Sequence, residues 1–208
     1  MTKFILSIWF VISTLAIFGF SSAGKSEFDP DMQLSQAIMS TKFEQHLIET
    51  IYSHINLSTH GKRTNHSPKG YLINIIQGDC YCEWLSQRHQ SNLNQWAKHA
   101  DFISIDININ DLMDLSEYVP STPAILALDK NKNLIYFGPY SRGAGCFAAS
   151  GQVDELLSNY INTLQTTRQS DASNYSNKVE IDEQPLFEQL TGIIETDARG
   201  CYCATSKI

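Results

Sequence analysis

Apolar residues fall at helical spacing between Met32 and Ile55, where Leu34, Ile38, Phe43, Leu47, Ile48, Ile51 and Ile55 share one face and predict a single amphipathic helix. A polar stretch to Gly70 interrupts the pattern. The run Tyr71 to Gln77 is almost continuously apolar and predicts a buried strand. From Cys82 to Ala100 the helical period returns, with Trp84, Leu85, Leu93, Trp96, Ala97 and Ala100 on the inward side. Strands are then expected at Phe102 to Ile107, Ala124 to Asp129 and Leu134 to Gly138, with a short helix at Asp111 to Tyr118 and a turn at Lys130-Asn131-Lys132-Asn133. Ser150 is placed to cap a last helix whose stripe is Val153, Leu156, Leu157, Tyr160, Ile161 and Leu164. Residues 166–180 have almost no apolar content and predict a linker. Beyond them Leu186, Phe187, Leu190, Ile193 and Ile194 form one small cluster, expected to dock as a short helix.

The N-terminus adds Lys3, an apolar run from Phe4 to Phe20, and then Ser21-Ser22-Ala23, the small residues a signal peptidase reads. Residues 1–23 are therefore expected to be a signal peptide or a membrane anchor, and either places the remainder outside the cytoplasm. The formal charge of -7 and the scatter of Lys and Arg disfavour nucleic acid as a partner. Five cysteines acquire meaning in an exported chain, where disulfides form and persist.

The tripeptide Cys80-Tyr81-Cys82 stands where a strand gives way to a helix. Unpaired N–H groups and the positive end of the helix dipole favour a thiolate there, which makes Cys80 the expected nucleophile and Cys82 the resolving thiol. A disulfide between two cysteines so close needs a turn and is expected to be strained and readily reduced. The same tripeptide recurs as Cys201-Tyr202-Cys203, and an extended chain of roughly 3.3 Å per residue easily brings it back to the first. The tail can then shuttle electrons, form a fixed cross-link or complete a thiolate metal site, for which Cu(I) suits close spacing better than zinc. Cys146 lies in a Gly-rich loop expected on the redox side, with Arg142 placed to steady a thiolate. The six histidines form no ligand motif, and His89 is expected at the surface or the core edge. There is no phosphate loop and no Gly-x-Ser-x-Gly elbow.

The order strand, Cys-bearing helix, strand, helix, Thr-Pro, strand, hairpin, strand, helix over residues 71–164 resembles the thioredoxin fold. The stretches YLINIIQGDCYC, SIDI and YVPSTPAILALDKNKNLIYFG carry the resemblance. It is also similar to an uncharacterised bacterial thioredoxin-like family with paired Cys-x-Cys motifs, which supplies no activity. The resemblance implies an α/β three-layer fold with a mixed central sheet over residues 32–165, followed by a linker and tail over 166–208. It puts Pro123 in the place of the cis-proline that shapes the substrate groove. Cys-x-Cys replaces Cys-x-x-Cys, and Asn74 stands where thioredoxins carry a buried acid. An amide cannot accept a proton, so resolution is expected to be slow or to use another group. The function this implies is an exported, periplasmic thiol-disulfide oxidoreductase or isomerase. Cys80, Cys82, Pro123, Cys146, Cys201 and Cys203 are its site residues, protein thiols or disulfides its partners, and no cofactor or resident metal is required. The alternatives are a thiolate metal-binding module and a non-catalytic binding protein.

Overall fold

The computed structural model describes residues 2–23, 26–59, 68–142, 153–163 and 192–205. In chain order the elements are α1 (Thr2–Ala23), β1 (Ser26–Glu27), α2 (Gln33–Ala37), α3 (Phe43–Thr59), β2 (Gly70–Ile76), α4 (Tyr81–Ala100) and β3 (Phe102–Asn108). Two 3₁₀ turns follow, Ile109–Asp111 and Met113–Glu117, then β4 (Ser121–Thr122), β5 (Ala124–Asp129) and β6 (Leu134–Pro139). The chain closes with α5 (residues 153–163), β7 (Ile193–Ile194), β8 (Arg199–Gly200) and β9 (Cys203–Ala204).

The protein is mixed α/β around a five-stranded mixed sheet of order β3-β2-β5-β6-β7. β2 and β3 are parallel, β5 runs antiparallel to both β2 and β6, and β7 lies parallel on the outer edge of β6. Strand alternation divides the sheet's side chains between two faces. Ile73, Ile75, Leu126, Leu128 and Phe137 pack with Leu47, Ile51 and Ile55 of α3. Leu72, Ile125, Ala127 and Ile135 pack with Leu93 and Ala97 of α4 and Val153 and Leu157 of α5.

The structure departs from the periodicity at three places. The helix expected across Met32 to Ile55 is broken into α2 and α3. Ser40 occupies the break: its carbonyl accepts from the Phe43 N–H and its hydroxyl from the Lys42 N–H, so local bonds compete with the helical ladder. Asp29 fixes the start of α2 by accepting from the backbone N–H groups of Leu34 and Ser35. The stretch expected as one short helix near Asp111 is two 3₁₀ turns, the first capped by the Asn108 side chain accepting from the Asn110 N–H. Ile193 and Ile194 form an edge strand rather than a helix, because parallel pairing with Tyr136 and Phe137 satisfies their backbone. Gly192 permits the approach, since a Cβ there would lie 2.6 Å from the Leu134 carbonyl oxygen. Leu186, Phe187, Leu190, Ser150 and Leu164 lie outside the described residues.

α1 presents exposed apolar side chains from Phe4 to Phe18. Among the described residues no helix is long and apolar enough to cross a membrane. The N-terminal segment Thr2–Ala23 is helical.

Candidate functional site

β2 ends at Ile76, and a three-residue turn delivers Cys80 to the cap position of α4, with φ −90° and ψ 120°. Gly78 takes φ 88° in that turn, a conformation open to glycine without a Cβ clash. Glu83, on the first turn of α4, reaches back to accept from the backbone N–H groups of Gln77 and Gly78, the latter at 2.9 Å. The turn is therefore clamped to the helix that follows it. A Glu three residues after a cap position is a readable signal of this kind, though here it bonds upstream of the cap.

Across from Cys80 lies β4, whose Thr122 is fully buried and is followed by Pro123 through a cis peptide bond, as expected. The Thr122 carbonyl oxygen is 3.8 Å from Cys80 Sγ. The tail meets β4 as a strand. β9 pairs antiparallel with it, setting Ala204 opposite Ser121 and Cys203 opposite Thr122. Thr205 extends the contact by donating its N–H to the Pro120 carbonyl at 3.0 Å and its hydroxyl to the Val119 carbonyl at 2.6 Å.

This register brings the two Cys-Tyr-Cys tripeptides face to face in opposite directions. Cys80 is disulfide-bonded to Cys203 and Cys82 to Cys201, with Cα–Cα separations of 6.0 and 5.4 Å. The close pairing expected within Cys80-Tyr81-Cys82 does not form. Cys80, Cys82 and Cys201 are buried in one cluster, against which half-buried Cys203 and Leu85 pack. The sulfurs of Cys80, Cys82 and Cys203 lie within 4.8 Å of one another. The two tyrosines have opposite surroundings. Tyr81 is 66% exposed and stacks on exposed Trp84, with ring centroids 5.7 Å apart. Tyr202 is buried, donates its hydroxyl to the Ser141 carbonyl at 2.6 Å and meets the Phe28 ring edge-on at 5.5 Å.

A family described as a domain of unknown function (DUF6436) matches residues 49–177, more than half of the chain. The chain belongs to the DUF6436 family. No curated protein and no solved structure matches it. The DUF6436 match takes in Cys80, Cys82, Pro123 and Cys146 and stops short of Cys201 and Cys203.

Within the DUF6436 region, Asn74 is buried and its side chain is fully engaged. Its amide nitrogen lies 2.6 Å from Asp106 Oδ1, 3.1 Å from Asn94 Oδ1 and 3.3 Å from Ser104 Oγ, and its oxygen accepts from Tyr140 OH at 2.8 Å. Asp106 sits opposite Asn74 in the β2–β3 register and brings a carboxylate next to the amide. Burial, and then the charge of Asp106, push the Tyr140 phenol well above its ordinary range.

Three expectations for the surroundings are revised or left aside. Arg142 pairs with Glu195, not with a thiolate, and so ties the loop after β6 to the tail. Glu195 also donates its backbone N–H to the Phe137 carbonyl at 2.8 Å. His89 is fully buried instead of lying at the surface or core edge, because it packs edge-on against Tyr140 with its Nε2 4.0 Å from Asp154 on α5. Cys146 lies outside the described residues.

Proposed function

We propose that this protein is an exported thiol-disulfide exchange protein of thioredoxin-like architecture, and that its oxidised form holds its own C-terminal tail as a resident disulfide partner. One observation carries the reading: Cys80, at the first turn of α4 and beside the Thr122 carbonyl, is bonded to a cysteine on a strand paired with β4. An extended peptide joined through a cysteine at a helix N-terminus is the arrangement a mixed disulfide with a protein substrate would have. The parallel β2–α4–β3 unit and the antiparallel β5–β6 pair after Pro123 support the thioredoxin-like part. The apolar run Phe4 to Phe20 followed by Ser21-Ser22-Ala23 supports export to a compartment such as the periplasm.

The two disulfides differ chemically. Cys203 is the more exposed residue of its pair, while its partner Cys80 sits where helix N–H groups stabilise a thiolate. An incoming thiolate therefore attacks Cys203 Sγ and expels Cys80 as the better leaving group. A second thiol of the same substrate then attacks the substrate's own sulfur in the mixed disulfide and releases Cys203. The substrate leaves as a disulfide, and its two electrons and two protons reside on Cys80 and Cys203. Run in reverse, Cys80 and Cys203 reduce a substrate disulfide. Cys82–Cys201, buried at both ends, keeps the tail tied throughout.

The test is to expose the oxidised full-length protein to limiting amounts of a reduced dithiol peptide, quench by alkylation and map the labelled cysteines. Cys80 and Cys203 should label first and together, with the peptide recovered oxidised. Earlier labelling at Cys82 and Cys201, or resistance of both bonds until the protein unfolds, would overturn the assignment.

A further inference from the structure

We infer that full reduction converts the paired tripeptides into a three-coordinate thiolate site for Cu(I), formed by Cys80, Cys82 and Cys203. This goes beyond the exchange reading and does not depend on it. A cation held by three thiolates through bonds of about 2.3 Å needs sulfurs about 4 Å apart. The three sulfurs already lie within 4.8 Å of one another, so small side-chain rotations suffice once the S–S bonds are gone.

The backbone that positions them is also held by contacts other than those bonds. Cys80 and Cys82 ride on the first turn of α4, which Glu83 clamps to the preceding turn. Cys203 is held by the β9–β4 pairing, by Thr205 on the Val119 and Pro120 carbonyls, and by Tyr202 on Ser141. Reduction takes two molecules of an external dithiol, each leaving as a cyclic disulfide, so that four electrons and four protons pass to the four cysteine sulfurs. Cu(I) then displaces three thiol protons without changing oxidation state.

The donor set selects the metal. Three sulfurs and no nitrogen or oxygen ligand make up the group among the described residues, which favours a soft cation. Structural zinc takes four ligands in a tetrahedron, whereas Cys201, bonded to Cys82, is not among the sulfurs that lie within 4.8 Å of one another. The nearest acid on the same helix turn, Glu83, is already committed to two backbone N–H groups. Leu85 packs against the cysteine cluster and adds an apolar side chain beside it.

The experiment uses the full chain, reduced with a phosphine, desalted under anaerobic conditions and titrated with Cu(I) against a chromophoric Cu(I) chelator. One equivalent should bind, and X-ray absorption should show a shell of three sulfurs. Cys201→Ser should retain that stoichiometry and affinity. Cys82→Ser and Cys203→Ser should each weaken binding by more than about a hundredfold, beyond the range that outer-shell changes produce. Reduced wild-type protein is the reference for every variant, so loss of a disulfide does not confound the result, and circular dichroism checks that each remains folded. Equal losses in Cys201→Ser and Cys203→Ser, a shell of four sulfurs, or tight Zn(II) uptake that Cu(I) does not displace would overturn the proposal. None of these results bears on disulfide exchange, which is read separately by peptide oxidation.

Discussion

The two disulfides should be strongly coupled in stability, and the loop lengths give the size of the coupling. Cys80–Cys203 spans 123 residues and Cys82–Cys201 spans 119, so whichever bond is present alone removes the entropy of a long loop from the unfolded chain, about 5 kcal/mol. Once one bond exists, the other closes a ring of only about six residues and adds about 2 kcal/mol. Replacing Cys80 and Cys203 together by Ser should therefore cost about 2 kcal/mol, as should replacing Cys82 and Cys201. Replacing all four should cost about 7 kcal/mol, leaving a coupling of about 3 kcal/mol beyond additivity. Guanidinium unfolding followed by tryptophan fluorescence, with a common slope fitted across the set, measures all three differences. If the two pairwise losses simply add to the fourfold loss, or if either pair alone costs as much as all four, the two bonds do not share one loop. The functional consequence is direct: the exposed bond can open during exchange while the buried one preserves most of the loop constraint on the tail.

Two further outcomes are expected. Tyr202→Phe keeps the ring against Phe28 but removes the hydroxyl that donates to the Ser141 carbonyl, so stability should fall by about 1–3 kcal/mol; a loss below about 0.5 kcal/mol in chemical unfolding would show that this bond does not anchor the tail. Tyr136 and Tyr140 are buried, and burial raises both phenols above their ordinary range, aided by Glu195 for Tyr136 and Asp106 for Tyr140. The folded state then holds these protons more tightly than the unfolded chain, so their stability contribution is complete below about pH 10 and is lost as pH rises toward the folded pKa values. Tyr140→Phe should flatten the decline of stability above about pH 10, and an unchanged slope would show that Tyr140 does not contribute to it.

How much of this was legible in the sequence depended on the range of the interaction. The α3 face of Leu47, Ile51 and Ile55 and the buried run of β2 follow from periodicity, because each element buries enough side chains to leave a pattern. The strand-to-helix junction at Cys80 was legible for the same reason. β4, β7, β8 and β9 are two residues each, too short to carry any period, and they exist because the tail meets partners distant in sequence. His89 was misjudged because its burial depends on Tyr140 and on Asp154 of α5, neither of which is its neighbour in sequence.

The disulfide partners show why identity of motif is not enough to fix pairing. Two identical tripeptides can be joined parallel, Cys80 to Cys201 and Cys82 to Cys203, or antiparallel, and nothing within Cys-Tyr-Cys distinguishes the two. The choice is made outside the motif. Cys203 is registered against Thr122 by β9 running antiparallel to β4, and Cys80 lies against that same Thr122. Cys201, two residues earlier on the reversed chain, is thereby carried to Cys82 on the first turn of α4. The same geometry separates the tyrosines. Starting a helix turns Tyr81 outward beside Trp84, whereas the tail, tied by Ser26 and Gly200 on one side and by β4 on the other, directs Tyr202 inward against Phe28. One copy of the motif thus belongs to the reactive helix and the other to the strand that covers it, a division of roles that the repeated sequence conceals.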